Sequence, residues 1–189
     1  MIPTNAYLEV NLKNIIFNYK YLSSLNKNHY TGATIKANAY GLGDKKVIKT
    51  LYKAGCKHFF VATLNEAIKL RQTFKYGYLY VLNGVKKNDF NVDLIRNKII
   101  PIVNSIQNFE EIKSLKKKLN IGIHIDTGIN RLGIPINDLS KFKSNKKTSI
   151  VVVISHLASA DEKYNPYNNR QSTIFKKITN EAPCPIPFS

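Results

Sequence analysis

The sequence predicts an α/β protein with parallel strands, and three observations carry this prediction. Short apolar stretches recur along the 189 residues and alternate with helical patterns. The apolar stretches are continuous rather than alternating, which is typical of parallel strands buried on both faces. The spacing between successive stretches is long enough for a helical crossover. An open doubly wound sheet and a (β/α)8 barrel both satisfy this pattern.

Six segments carry the strand pattern. They are residues 32–36, 58–62, 77–82, 99–103, 121–126 and 150–155. A complete barrel has eight strands and takes about 250 residues. If the fold is a barrel, we therefore expect an incomplete one, with about six of the eight β/α units.

Helical patterns lie between and after these strands. They cover residues 45–54, 64–72, 88–97, 105–118 and 169–179. The first places Val47, Ile48 and Leu51 on one face and is followed by Gly55, a residue that commonly ends helices. Ser105 is a favoured N-cap residue for the fourth. We expect each helix to pack one apolar face against the sheet.

Composition indicates a folded chain in a reducing compartment. Hydrophobic residues make up 43% of the sequence, and no apolar run approaches the roughly 20 residues of a membrane span. The first ten residues lack the basic and apolar regions of a secretory signal, so we expect a cytoplasmic location. Cys56 and Cys184 are too few for a disulfide framework and lack metal-site spacing. No metal site is predicted, and Cys56 is interpreted as a buried packing residue.

The formal net charge of +17 raises the possibility of a nucleic-acid partner. The lysines, however, are spread along the chain, with short runs at 86–87, 116–118 and 146–147. None of these runs is interleaved with aromatic residues, as a base-stacking groove would require. We interpret the charge as a bias of composition and expect only non-specific attraction to polyanions at low salt.

The most informative segment is TIKANAYGLG at residues 34–43. It places Lys36 at the end of a short apolar strand and puts Gly41 and Gly43 behind it. Lysine shifts its pKa readily when buried and is the usual residue for Schiff-base chemistry. A glycine-containing turn before a helix exposes backbone N–H groups that suit a phosphate. The pattern indicates pyridoxal phosphate, and the alternative is a strand-end lysine that reaches out to water.

The segment IKANAYGLG resembles the cofactor-lysine signature of the alanine racemases. Three further segments agree with that family in order: residues 51–71, HIDTGINRLGI at 124–134 and SHLASADE at 155–162. The resemblance runs from about residue 7 to about residue 175. It implies a TIM barrel, pyridoxal 5'-phosphate as cofactor, and interconversion of L- and D-alanine for bacterial cell-wall precursor synthesis.

The resemblance also assigns roles to individual residues. Lys36 matches the lysine that binds the cofactor covalently and acts as the catalytic base on one face of the substrate. Tyr40 matches a tyrosine that contacts the cofactor phosphate, and Leu82 matches an apolar residue that lines the cofactor site. From the residues alone, Tyr40 could equally be a packed aromatic, and ordinary core packing is the better interpretation of Leu82.

Arg131 and His156 complete the set of cofactor-binding residues. Arg131 matches an arginine that contacts both the cofactor and the substrate carboxylate, with an ion pair to Asp126 as the alternative. His156 matches a histidine in a relay that links the second catalytic base to an arginine on the pyridine nitrogen. His124 stands where some racemases carry a carbamylated lysine; histidine cannot form that carbamate, and we interpret it as a satisfied core residue.

Other parts of the family pattern have no match in these 189 residues. They are an Asn-Ser pair, an arginine on the pyridine nitrogen, a Gly-Ile phosphate segment and the C-terminal β-domain that supplies the second base. We therefore expect a truncated barrel domain at 1–180 and an irregular tail at 181–189, where Pro183, Pro185 and Pro187 exclude a helix interior or a central strand.

Such a chain is expected to be weakly active or inactive by itself. The alternatives are one half of a split racemase and a non-catalytic pyridoxal-phosphate-binding barrel. Full-length members of the family are homodimers that act on alanine, and the resemblance leaves the dimerisation of this shorter chain open. No membrane partner is expected.

Overall fold

The computed structural model describes residues 6–25, 29–86, 98–114, 118–141 and 148–181. Within these ranges the strands form one parallel sheet in the order β1-β2-β3-β4-β5, with β6 and β7 both paired to β5. The strands are β1 (Ala33–Thr34), β2 (His58–Val61), β3 (Tyr78–Val81), β4 (Ile99–Val103), β5 (Leu119–Asp126), β6 (Ile134–Pro135) and β7 (Thr148–Ile154).

Helices lie between and around these strands. They are α1 (Leu12–Leu25), α2 (Lys36–Tyr40), α3 (Asp44–Lys53), α4 (Leu64–Thr73), α5 (Ile106–Lys113) and α6 (Pro166–Glu181), with a 3-10 helix at Ile136–Lys141. Of these, α2 is a left-handed turn, because residues 37–40 all have positive φ angles. The arrangement is a TIM-barrel type of α/β fold, as predicted. No helix in the described ranges is long and apolar enough to cross a membrane.

All six predicted strands are present, with bounds that differ by at most a few residues. Gly55 follows α3 with a φ of 111°, and Ser105 caps α5 by accepting a hydrogen bond from Asn108 N at 3.1 Å. The predicted helix at 88–97 lies outside the described residues. Two elements were not predicted from the sequence: β6, which has only two residues, and α1, in which no residue is fully buried.

The core lies on both sides of the sheet. One apolar cluster fills the inner face of the curved sheet and contains Tyr80, Ile100, Ile102 and Val152. Two further clusters lie between the strands and the helices, and Cys56 is fully buried in one of them as a free thiol. The sheet therefore presents both faces to apolar partners, which explains the continuous apolar runs in its strands.

Gly122 allows the inner face to close. A Cβ atom at this position would collide with Cδ1 of Ile102 and would lie 2.7 Å from Cγ1 of Val152. The pairing of β5 with β7 also shifts register between Ile121 and Gly122. A residue without a side chain thus lets two apolar side chains from the neighbouring strands meet across β5.

Arg71 stabilises the end of the sheet at which the strands begin. Only 2% of this residue is exposed, and burial lowers the pKa of its guanidinium. Nη1 donates to Tyr76 O at 2.7 Å, while Nη2 donates to Gly77 O at 2.8 Å and to Lys98 O at 3.3 Å. These carbonyls precede β3 and β4, so one side chain connects the N-terminal ends of two adjacent strands.

Candidate functional site

The predicted site residues follow the carboxyl ends of different strands. Lys36 lies two residues after β1, Leu82 directly follows β3, and Arg131 and His156 lie beyond β5 and β7. Partial burial lowers the pKa of His156, and the charges of Arg131 and Lys36 lower it further. Although β1 and β7 are far apart in the strand order, a barrel sheet curls and brings the carboxyl ends of its strands to one face.

The segment after Lys36 is a left-handed turn. Residues 37–40, none of them glycine, have φ angles between 50° and 56°, and Gly41 follows at 87°. Gly41 N closes the turn by donating to Ala37 O at 3.0 Å. Left-handed backbone costs about 1–2 kcal/mol per L-residue, and such strain concentrates at functional sites. The backbone next to Lys36 therefore has a conformation that these residues would not favour in isolation.

Helix α3 begins only after this turn, at Asp44, with Gly43 as its N-cap at a φ of 92°. The glycines lie beside open space, since a Cβ atom at Gly41 or Gly43 would meet nothing within 4 Å. Tyr40 is 64% exposed, and its ring centroid lies 5.9 Å from Lys36 Nζ. The surface next to Lys36 thus offers an aromatic ring, a phenol and accessible backbone.

Glu66, on α4, holds the beginning of this turn. Its Oε1 accepts a hydrogen bond from Ala37 N at 2.7 Å, and its Oε2 accepts from Ala62 N at 2.8 Å and Thr63 N at 2.9 Å. Burial alone would raise the pKa of Glu66, but the hydrogen bonds from the Thr63, Ala37 and Ala62 amides outweigh it and leave the pKa below its ordinary value. The sequence analysis missed Glu66, although Thr63 and Glu66 have the spacing of a capping box.

The loop that carries Arg131 is organised by Asp126. The Oδ1 atom of Asp126 accepts from Gly128 N at 2.9 Å and from Asn130 N at 3.2 Å. No ion pair joins Asp126 to Arg131 in the part of the chain that the structure describes. The ion pair considered for Arg131 is therefore not formed in this structure, and the Arg131 side chain is exposed.

Gln171, on α6, links the two loops that carry Arg131 and His156. It is 1% exposed; its Nε2 donates to Thr127 Oγ1 and to His156 O, both at 3.1 Å, and its Oε1 accepts from Ala158 N at 2.9 Å. The sequence analysis missed this residue. Its signal was an amide one turn before Phe175, a residue of α6 that packs against the core.

His124, on β5, is buried with 6% exposure, but only one of its ring nitrogens has a partner. Nδ1 lies 2.9 Å from Asn104 Oδ1, and Asn104 Nδ2 donates to Leu82 O at 2.8 Å. The amide orientation makes Nδ1 the protonated nitrogen. Burial, with smaller effects of the His156 and Arg131 charges, lowers the pKa of His124 to about 4. His124 is thus a neutral core residue that keeps an unpaired Nε2 acceptor, rather than the fully satisfied one expected.

The assembled side chains fit pyridoxal phosphate. Lys36 offers an amine to an aldehyde, and Arg131 offers a guanidinium to an anionic oxygen. Leu82 is half-buried and packs against the apolar inner cluster, so it presents a wall suited to a ring. The chemistry of the donors and the open space beside the glycine turn are both compatible with this cofactor.

These features define a parallel α/β barrel with a lysine suited to pyridoxal phosphate, and comparison with known families gives its family. The family described as "Alanine racemase, N-terminal domain" matches residues 10–188. The chain belongs to this family.

Individual relatives agree with the family assignment. The chain is 37% identical over 185 residues to the alanine racemase of Rickettsia akari (strain Hartford), covering 93% of this chain and 52% of that protein. It is 33% identical over 187 residues to a catabolic alanine racemase of Rhizobium johnstonii, covering 94% of this chain and 49% of that protein.

A solved structure of alanine racemase from Bartonella henselae, with covalently bound pyridoxal phosphate, superposes with a TM-score of 0.84 at 32% identity. That match covers 95% of this chain and 55% of the Bartonella chain. The chain thus spans about half the length of the curated relatives it matches.

Proposed function

We propose that this chain is the pyridoxal-phosphate-binding barrel portion of an alanine racemase, whose substrate is alanine. The observation that carries the proposal is the placement of Lys36 just after β1, followed by the left-handed turn at residues 37–40 and by open space beside Gly41 and Gly43. The names of the relatives support alanine as the substrate, and we propose D-alanine for cell-wall precursors as the product. A cytoplasmic location fits this role.

Each residue has a defined part in the proposed site. Bound pyridoxal phosphate supplies an electron sink that makes the α-proton of an amino acid acidic. Lys36 would hold the cofactor covalently and would move that proton on one face of the substrate. Arg131 would bind the substrate carboxylate and a cofactor oxygen. Tyr40 would contact the phosphate, and His156 would act beside Arg131 and Lys36.

The 189-residue chain is proposed to be a weak catalyst or an inactive one when alone. Racemisation needs acid–base groups on both faces of the substrate carbanion, each worth about 10²–10⁴-fold. Lys36 serves one face, and no residue of the sequence matches the family's second base. Within this proposal the barrel domain covers 1–180 and the tail covers 181–189.

Covalent trapping tests the cofactor assignment. The chain is incubated with pyridoxal phosphate, reduced with borohydride and mapped by peptide mass spectrometry, and we expect the label at Lys36. Lys36→Ala should abolish it. The matched control is Lys57→Ala, because Lys57 lies at the opposite ends of the strands, 3.7 Å above the Tyr52 ring. Label spread over surface lysines with none at Lys36 would refute the assignment.

A measurement of D-alanine formation then distinguishes a weak or inactive racemase, a split racemase and a non-catalytic barrel. A preparation free of host racemase should give no racemisation above that of free pyridoxal phosphate. Activity that returns with a second polypeptide carrying the missing base would favour a split racemase. Cofactor binding without activity under any of these conditions would favour a non-catalytic barrel, and an ordinary enzymatic turnover by the chain alone would contradict the proposal of weak activity.

A further inference from the structure

We infer that Glu66 is a positioning residue for Lys36, acting through the backbone rather than through the cofactor. Its carboxylate holds the left-handed turn that begins at Ala37 and so fixes the direction in which Lys36 leaves β1. The functional meaning of this contact rests on the proposed role of Lys36, whereas the contact itself can be tested without cofactor.

The geometry singles out one carboxylate that spans two elements. Oε1 reaches the amide that directly follows Lys36, at 2.7 Å from Ala37 N. Oε2 binds the amides of Ala62 and Thr63, at 2.8 and 2.9 Å, where β2 passes into α4. The turn after Lys36 is thereby attached to the end of the neighbouring strand.

Only an ionised carboxylate satisfies this arrangement. Three N–H donors converge on the two oxygens, so both oxygens must accept. A glutamine has one accepting oxygen, and its NH2 group would face an N–H donor. Hydrogen bonds to a charged acceptor are also about twice as strong as neutral ones. The negative charge of Glu66 is therefore part of the mechanism.

The strain of the turn explains why an external contact is needed. Residues 37–40 have left-handed φ angles that L-residues avoid, and the backbone bonds that close the turn, from Ala39 N to Ile35 O and from Gly41 N to Ala37 O, lie within the segment itself. The Ala37 amide is bound from outside the segment by Glu66, 29 residues away. Loss of that acceptor would allow the turn to relax and Lys36 to change direction.

A purely structural role for Glu66 is the competing explanation, since it also forms the capping box of α4. Thr63→Ala is the matched control. It removes the Thr63 Oγ1 acceptor that lies 3.3 Å from Glu66 N, but it leaves the carboxylate and its three amide donors in place. Glu66→Gln removes the charge at the same size, and Glu66→Asp keeps the charge but shortens the reach by one methylene.

Two readouts are made on the full chain. The first is the hydrogen-exchange rate of the Ala37 amide, measured by NMR without cofactor. The second is the ratio of borohydride-fixed pyridoxal phosphate at Lys36 to that at Lys57. We expect Glu66→Gln and Glu66→Asp to speed Ala37 exchange and to lower the labelling ratio, each by about tenfold or more, as loss of a charge-assisted hydrogen bond implies. Thr63→Ala should leave both within about twofold of the parent chain.

The outcomes separate the two proposals. Parent-like Ala37 exchange in both Glu66 variants would overturn the inference, and so would a labelling ratio that falls equally in Thr63→Ala. If the parent chain does not favour Lys36 for labelling, the proposed function fails, and Ala37 exchange alone then decides the role of Glu66. If Glu66→Gln does not fold, Glu66→Asp supplies the same two readouts.

Discussion

Replacing Ala37 with glycine should make the protein more stable. Ala37 has a φ of 50° and a ψ of 50° in the left-handed turn after Lys36, and it is exposed, so loss of its methyl group sacrifices no packing. The left-handed conformation costs an L-residue about 1–2 kcal/mol. The greater freedom of glycine in the unfolded chain offsets about 0.4–1 kcal/mol of that relief. We expect a net gain of about 0.5–1 kcal/mol in the free energy of unfolding.

Urea denaturation followed by circular dichroism measures this change. The matched control is Ala54→Gly, because Ala54 has a right-handed φ of −77° at the end of α3. There the same substitution should destabilise the protein by about 0.5–1 kcal/mol. The two substitutions should therefore change the free energy of unfolding in opposite directions. Equal destabilisation by both would refute a left-handed turn at Lys36.

Three further predictions follow from the core and from His124. Gly122→Ala should lower the free energy of unfolding by about 1–3 kcal/mol, because its Cβ would collide with Ile102 and Val152; urea denaturation checks this. Val152→Lys should unfold the domain, because the residue is 0% exposed in the inner cluster and a buried ammonium would have no partner there; far-UV and near-UV circular dichroism spectra check this. His124 should make stability fall with acid: its pKa is about 4 in the folded chain against 6.5 unfolded, so its contribution is complete above pH 6.5 and is lost as the pH falls from 6.5 to about 4.

Each of these predictions has its own control and contrary result. A stable Gly122→Ala chain would mean that the strands flanking β5 can separate. A folded Val152→Lys chain would place that side chain in water, and Thr34→Lys, at an exposed position of β1, is the control that should fold. For His124, the integrated effect of the pKa shift is at most about 3 kcal/mol. It should vanish in His124→Gln, and an unchanged pH profile in that variant would assign the acid sensitivity to another group.

Local sequence pattern was sufficient to predict six of the seven described strands, and it singled out Lys36 as the candidate cofactor lysine. Buried parallel strands must be apolar along their whole length, so segments such as Ile99–Val103 stand out by composition alone. Lys36 stands out because a strand end, a lysine and two nearby glycines form a contiguous pattern. The caps at Gly55 and Ser105 are equally local, because each depends on a few neighbouring residues.

Contacts between distant segments were decided only by the tertiary structure. Glu66 meets Ala37 across 29 residues, and Gln171 meets Thr127 across 44, so no window of sequence contains both partners. The left-handed turn runs against the local preference of Ala37 and its neighbours and needs the surrounding fold to hold it. The partners of Asp126 and His124 were likewise decided by the arrangement of the strand ends around the site. Asp126 binds the loop backbone rather than Arg131, and only one nitrogen of His124 has a partner. Hydrogen bonding is set by geometry in space rather than by spacing along the chain.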